Sequence, residues 1–276
     1  MNNIAIIAYK EIQEGLRNRW VLATTLLLAA LALSMTFLGS APTGSSVGAS
    51  QMDVVIVSLS SLTIFLIPLI ALLISHDAIV GEMERGTMLL LLSYPLSRAQ
   101  VVLGKFCGQL AILAFATFFG YGIAALALFA GGSATNAESW LAFATLIGSS
   151  ILLGAVFIAI GFLASTLVRE RSTAAGIAIG VWLFFVLIYD AALLALLVFD
   201  QGKMIGTGIL NTLLVINPAD SYRLLNFGSG QAGALTGMGG VAGNATLGPL
   251  IMTLTLGLWT VLPLVFSMLI FSRKEL

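Results

Sequence analysis

Few residues of this 276-residue chain could do bond-making chemistry, and they are scattered. There is one cysteine, Cys107, and one histidine, His76. That count excludes an internal disulfide, a zinc-finger ligand set and the HExxH site of a metalloprotease. A serine nucleophile would want a histidine beside it inside the apolar stretches, and His76 stands only at the edge of one. No glycine-rich loop ends in Lys-Ser or Lys-Thr, so a P-loop cradle for nucleotide phosphates is absent. What remains is charge placed for pairing and docking. Residues 76–98 set Asp77, Glu82, Glu84, Arg85 and Arg98 around the apolar run Met88–Leu92. Asp190 stands alone in a long apolar stretch, and Asp220-Ser221-Tyr222-Arg223 closes a short polar group. No catalytic residue, metal or bound cofactor is expected on this chain.

The elements that must position these residues are membrane helices. Apolar residues make up 59% of the chain and charged residues 9%, against roughly 25% charge in soluble domains. The mean hydropathy of +1.07 comes from long windows, 20–52, 54–76, 106–137, 139–168 and 224–272, that contain no Asp, Glu, Lys or Arg. Several exceed the roughly 20 residues a helix needs to cross a bilayer. The expected class is an all-α integral membrane protein, one domain over 1–276. Its six spans are Val21–Gly39, Val54–Ser75, Phe106–Ala130, Leu141–Leu167, Ala174–Phe199 and Leu250–Phe271. Residues 1–20 are not expected to be a signal peptide, because the first apolar run begins only after Lys10, Glu11, Glu14, Arg17 and Arg19. Gly148, Ser149, Ser150, Gly154, Gly161, Ser165, Gly176 and Gly180 suit close helix–helix approach, chiefly within the chain. Cys107, near the start of the third span, is expected to be a packing residue.

Charge sets the orientation. Ten of the twelve basic residues fall in 1–20, 76–105, 168–173 and 272–276; only Lys203 and Arg223 fall in 40–53, 131–140 and 200–249. The positive-inside rule then places both termini in the cytoplasm. Twelve acidic residues balance the twelve basic ones, so no basic surface for nucleic acid is expected. None of the cytoplasmic segments is long enough for a domain with its own core. If the protein uses chemical energy, another chain must supply it.

Four segments carry further information. Ile4, Ile7, Ala8, Ile12 and Leu16 share one helical face, with Glu11 blurring the pattern. An interfacial amphipathic helix over 1–20 fits this, and a cytoplasmic extension of the first span is the alternative. The run 76–105 reads as a short helix entered at Gly86-Thr87 and left at Pro95, packing one face on a partner; a re-entrant or interfacial helix is the alternative. His76, at the end of the second span, is expected to make an interfacial hydrogen bond. Asp190 finds no basic residue in any span, so it belongs either to a transport path or to a neutral packing contact near Tyr189. The outer loop 200–249 holds 11 glycines and predicts a short apolar stretch at Ile209–Ile216, a turn at Asn217-Pro218 and a short helix over Ser221–Phe227. Glycine-rich 228–248 reads as a mobile loop or as backbone approaching a partner.

The pattern Glu82-x3-Gly86-Thr87-x3-Leu91-Leu92-x2-Pro95-x2-Arg98-x5-Gly104-Lys105, between the second and third spans, resembles the signature of ABC-2 class permeases of ABC transporters. The resemblance implies the ABC-2, type V exporter-like permease fold, with 76–105 as the segment coupled to a nucleotide-binding subunit. ATPase coupling is thereby expected at Glu82, Arg85, Gly86, Thr87, Leu91, Leu92, Pro95 and Arg98.

Within that class, four segments are similar to the permeases encoded with nitrous-oxide reductase maturation genes. They are Lys10-Glu11-Ile12-x2-Gly15-Leu16-Arg17-Asn18-Arg19-Trp20, His76-Asp77-Ala78-Ile79-Val80-Gly81-Glu82, Ala174-Ala175-Gly176 with Trp182 and Asp190, and Asn217-Pro218-Ala219-Asp220-x-Tyr222-Arg223-Leu224. This similarity implies a second copy of the permease, a cytoplasmic ATPase dimer that carries ATP and Mg, and a periplasmic solenoid protein in a bacterial inner membrane. It also implies a sulfur species as cargo, for the copper–sulfur centre of nitrous-oxide reductase. Asp220, Tyr222 and Arg223 are then the expected contacts of the periplasmic partner. A drug or lipid exporter of the same class, and an ion-coupled secondary transporter, remain the alternatives.

Overall fold

A computed structural model describes residues 3–17, 19–38, 51–130, 137–200, 206–227 and 247–274. Loop positions 39–50, 131–136 and the glycine-rich 228–246 lie outside the described residues. In chain order the helices are α1 (Asn3–Arg17), α2 (Arg19–Leu38), α3 (Gln51–Ser75), α4 (Val80–Glu84), α5 (Thr87–Leu92), α6 (Arg98–Ala130) and α7 (Ala137–Leu167). They continue with α8 (Arg171–Leu183), a π-helical turn (Phe184–Ile188), α9 (Tyr189–Asp200), α10 (Thr207–Ile216), α11 (Pro218–Phe227) and α12 (Pro249–Arg273). In hydrocarbon only a helix closes its own backbone hydrogen bonds, and all the described elements are helical.

Within the described residues the expected spans overlap α2, α3, α6, α7 and α12, and the fifth runs across α8, the π-helical turn and α9; Gly39 lies outside the described residues. Among the described residues five runs are long and apolar enough to cross a membrane: Val55–Glu84, Arg98–Ala130, Trp140–Leu167, Arg171–Asp200 and Pro249–Arg273. The first expected span lies on α2, whose apolar run within the described residues is Ala23–Ser34. The third starts well before the expected Phe106. The Ser97 hydroxyl accepts the Gln100 amide N–H at 3.2 Å and the Gln100 side chain accepts the Ser97 N–H at 3.0 Å, a reciprocal cap that opens α6 outside the apolar window.

Helix α7 is the centre of the bundle, packed against α3, α6, α11 and α12, and Leu153, Val156, Phe157, Ile158 and Phe162 are fully buried. A Cβ at Gly161 would lie 1.9 Å from Ser75 Oγ, and one at Gly154 would lie 2.0 Å from Leu113, so α7 meets α3 and α6 through its missing side chains. Gly148, Gly176 and Gly180 have nothing within 4 Å of a built Cβ. Their expected role in close packing within the chain is therefore corrected: the α8 glycines lie on a face that no other described helix covers. Cys107 is exposed as well, which removes it from intrachain packing.

Candidate functional site

Two polar regions stand out, one where α3 runs into α4 and α5, the other where α10 and α11 follow α9. At the first, the Ser165 hydroxyl on α7 accepts the N–H groups of Ile79 (3.1 Å) and Val80 (3.0 Å) and so anchors the start of α4. His76 Nδ1 lies 3.0 Å from Leu73 O, a local hydrogen bond at the end of α3. Arg85 Nε donates to Gly81 O at 2.9 Å and the Thr87 hydroxyl to Glu82 O at 3.3 Å, tying off α4. Gly86, with φ of 71°, makes the left-handed step between α4 and α5 that a side chain would resist.

That step fixes the phase of α5. Met88 is buried and Leu91 and Leu92 pack partly against the core, whereas Leu89 (61%), Leu90 (69%) and Tyr94 (63%) project outward. The expected docking pair Leu91 and Leu92 is thus turned largely inward, and its neighbours form the exposed apolar knuckle. Glu84, Arg85, Gly86, Thr87 and Pro95 surround that knuckle, all exposed. Arg98 does not join it: Nη1 donates to Phe271 O (2.7 Å), Ser272 O (3.3 Å) and Lys274 O (2.6 Å), closing the carboxyl end of α12. Lys274 does the same for α7, donating to Thr166 O at 2.9 Å and Val168 O at 2.6 Å.

Glu82 also turns inward. Lys105 Nζ lies 2.6 Å from Glu82 Oε1 on α4 and 2.6 Å from Glu11 Oε1 on α1, with the lysine side chain only 6% exposed. Helix α1 rests on α6 at two glycines: a Cβ on Gly104 would lie 2.6 Å from Ile7 Cβ, and one on Gly108 would lie 2.5 Å from Glu11 Cβ. The face of α1 expected in the membrane interface is thus partly engaged by α6, leaving Ile6, Tyr9 and Leu16 exposed. A second pair links Arg171, at the start of α8, to Asp77, while the Arg171 backbone N–H donates to Glu84 Oε1 at 2.8 Å. A carboxylate at that helix N-terminus also complements its dipole.

At the other region α10 folds back alongside α9, with Leu193, Leu210 and Leu214 buried together. The Tyr189 hydroxyl donates to Leu213 O at 2.7 Å. At the turn Asn217 Oδ1 accepts the Ala219 N–H at 3.0 Å, capping α11 with Pro218 at its first position. Asn217 Nδ2 reaches Phe185 O at 3.1 Å, in the π-helical turn, and Asp220 Oδ2 at 3.0 Å. Arg223 bridges both carboxylates, Nη2 to Asp190 Oδ2 at 2.7 Å and Nη1 to Asp220 Oδ1 at 2.6 Å. Beneath it the Tyr222 and Ser150 hydroxyls lie 3.1 Å apart, and those of Thr63 and Tyr121 2.6 Å apart.

Two expectations are corrected here. Asp190 has a cationic partner after all, Arg223, supplied by α11 rather than by a span. Asp220, Tyr222 and Arg223 do not form an accessible outer surface: Tyr222 is fully buried, Asp220 nearly so, and the Arg223 side chain is only 14% exposed between two acids. The first half of 200–249 is two helices packed into the bundle, where α11 meets α3, α7 and α12. Desolvation and the nearby Asp190 charge push the Asp220 carboxyl up to about 7, against the opposing pull of Arg223 and Asn217. Among the described residues no group of three or more His, Cys, Asp or Glu could hold a metal.

Sequence reasoning missed the Glu11–Lys105–Glu82 triad and the Arg171 pair. One signal was visible: Glu11 spoils the apolar face of α1, and an acid on a packed face requires a cation across from it.

A family model described as "ABC-2 family transporter protein" matches residues 5–276. The chain is 46% identical over 271 residues to a "Probable ABC transporter permease protein NosY" from Pseudomonas aeruginosa, covering 98% of each. It is 47% identical over 279 residues to a protein of the same description from Stutzerimonas stutzeri, covering 99% of each.

Proposed function

The chain belongs to the ABC-2 family of transporter proteins, and from that premise we propose that it is the permease half of a transporter driven by a separate cytoplasmic ATPase dimer. Six spans, both termini in the cytoplasm and a second copy of the chain complete the proposed arrangement. The observation that carries the reading is the knuckle of Leu89, Leu90 and Tyr94, exposed beside Glu84 and Arg85 in a chain without a phosphate-binding loop. Exposed apolar side chains rimmed by charge suit a protein partner. The start of α8 and the coupling segment are joined by Asp77 and Arg171, so a push on α4 and α5 reaches the spans directly.

The whole-length likeness to permeases described as NosY supports a role in nitrous-oxide reductase maturation. The cargo proposed with it is a sulfur species for the copper–sulfur centre, passed to a periplasmic solenoid protein. The test is Leu89→Asp with Leu90→Asp. The expected result is loss of ATPase co-purification from a permease that keeps its wild-type melting temperature in detergent. Undiminished co-purification would move the docking surface away from α5. Cells carrying the variant should make nitrous-oxide reductase without its copper–sulfur centre; a normal centre would assign the permease to another cargo.

A further inference from the structure

Lys105 plays no part in the docking surface, yet among the described residues it is the most enclosed cation on the side where α4 and α5 lie. Its ammonium lies between two carboxylates from two other helices, each 2.6 Å away and both themselves 13% exposed. The three charges come from positions 11, 82 and 105, on α1, α4 and α6. Neighbouring Gly104 and Gly108 bring the α1 backbone against α6, so Glu11 approaches the ammonium from a helix already seated. Glu82 approaches from the segment just before the exposed knuckle of α5.

A buried ion group is a poor way to gain stability, because packed apolar side chains of similar volume often serve as well or better. It is a good way to fix geometry, because the lysine head is a point charge with three donors and can serve acids on separate elements at once. Two carboxylates on one ammonium also leave an excess negative charge, so neither acid can leave without altering the hold on the other. Apart from this group, the hydrogen bonds that tie α4 to other helices among the described residues run to α8 through Glu84 and to α7 through Ser165, and neither reaches α1 or α6.

We propose that Lys105 is a positioning residue that binds α1, the α4–α5 segment and α6 into one moving body, so that force applied at the α5 knuckle is delivered to α6 and to the interfacial helix together. The inference rests on the proposed docking of an ATPase at α5 only for its functional consequence. The mechanical tie belongs to the permease alone.

The experiment reads both. In a Cys107→Ser background, spin labels at the exposed positions Tyr9 on α1 and Thr87 on α5 report the distance between the two helices in nanodiscs. The wild-type pair is expected to give one narrow distribution, and Lys105→Met a broad or displaced one. Should Lys105→Met fail to fold, Glu82→Gln keeps the Glu11–Lys105 pair and releases α4 alone, with the same expected broadening. In the complex with the ATPase and Mg·ATP, Glu82→Gln is expected to keep ATPase binding but to lower the stimulation of hydrolysis by the permease at least about fivefold, the low end of coupling factors between sites. A merely structural role would lower the melting temperature and leave that stimulation unchanged. Unchanged distance distributions in both variants would overturn the proposal. Failure of the wild-type permease to bind the ATPase would overturn the docking reading, while the distance measurement would still decide the tie.

Discussion

The α4–α5 region and the α10–α11 region both gather acids around a cation, but to opposite effect. At the first, Lys105 and Arg171 pull Glu82, Glu11 and Asp77 together and leave Leu89, Leu90 and Tyr94 in the open. At the second, Arg223 holds Asp190 and Asp220, and the residues around it are drawn into the bundle, Tyr222 completely. One arrangement leaves an apolar surface behind; the other uses up its polar surface. The density of charge along a segment therefore does not tell which side of the molecule it faces. In both regions the counter-charge comes from another helix; what differs is the neighbours of the pair, Leu89, Leu90 and Tyr94 staying exposed at the first and Asp220, Ser221 and Tyr222 being buried at the second.

The largest effect that could break this comparison is removal of a buried cation. Arg223→Leu leaves Asp190 and Asp220 without a cation, with Asn217 still donating to Asp220, and should cost about 3–5 kcal/mol, the range for breaking a buried pair from one side. The measurement is the melting transition of the detergent-purified permease. A loss comparable to an ordinary surface substitution would mean that α11 is not anchored through this pair.

Overpacking the α1 seat comes next. Gly108→Leu drives a side chain into Glu11 and the α1 backbone, and should cost about 1–3 kcal/mol or displace α1. Cross-linking between cysteines placed on α1 and α6 would report displacement, and unchanged cross-linking with unchanged melting would mean that α1 does not rest there. Arg171→Leu should cost less, about 0–1 kcal/mol, because its guanidinium is 44% exposed and water screens the pair with Asp77. An Arg171→Leu loss equal to that of Arg223→Leu would erase the distinction between the two regions.

The sequence made some of this legible and hid the rest for identifiable reasons. Charge-free windows and the roughly 20-residue span length located the helices, since the bilayer imposes both. Glu11 could be seen to interrupt an apolar face, but its counter-charge lies 94 positions away. Arg223 and Asp190 are 33 positions apart across a turn, and a count of basic residues within spans could not find a partner arriving from outside them. The choice between Leu89–Leu90 and Leu91–Leu92 depends on the helical phase after Gly86, whose left-handed step resets it. The π-helical turn at Phe184–Ile188 has no signature in Phe184-Phe185-Val186-Leu187-Ile188, although its Phe185 carbonyl is one of the groups that Asn217 holds.

The finest difference between the two regions is how each responds to acid. Asp220 is held protonated up to about 7, against an ordinary 3.8, because burial and Asp190 outweigh the guanidinium. A carboxyl whose folded value is raised binds a proton that the unfolded chain releases. Its contribution to stability is therefore complete below the unfolded value and is lost as pH rises from about 4 to about 7, after which it levels. Melting of the purified permease should accordingly contain a component that weakens across this window. Asp220→Asn keeps the size and removes the titration while giving up one of the two acceptors used by Arg223 and Asn217, so that component should vanish and the melting temperature should lie nearest the wild-type value below about pH 4, where both side chains are neutral. Asp77→Asn, at the other region, removes a carboxylate without burial of that degree, and should leave the component in place. The contrast between the two variants is the measurement, and an unaltered slope in Asp220→Asn would place the titrating group elsewhere.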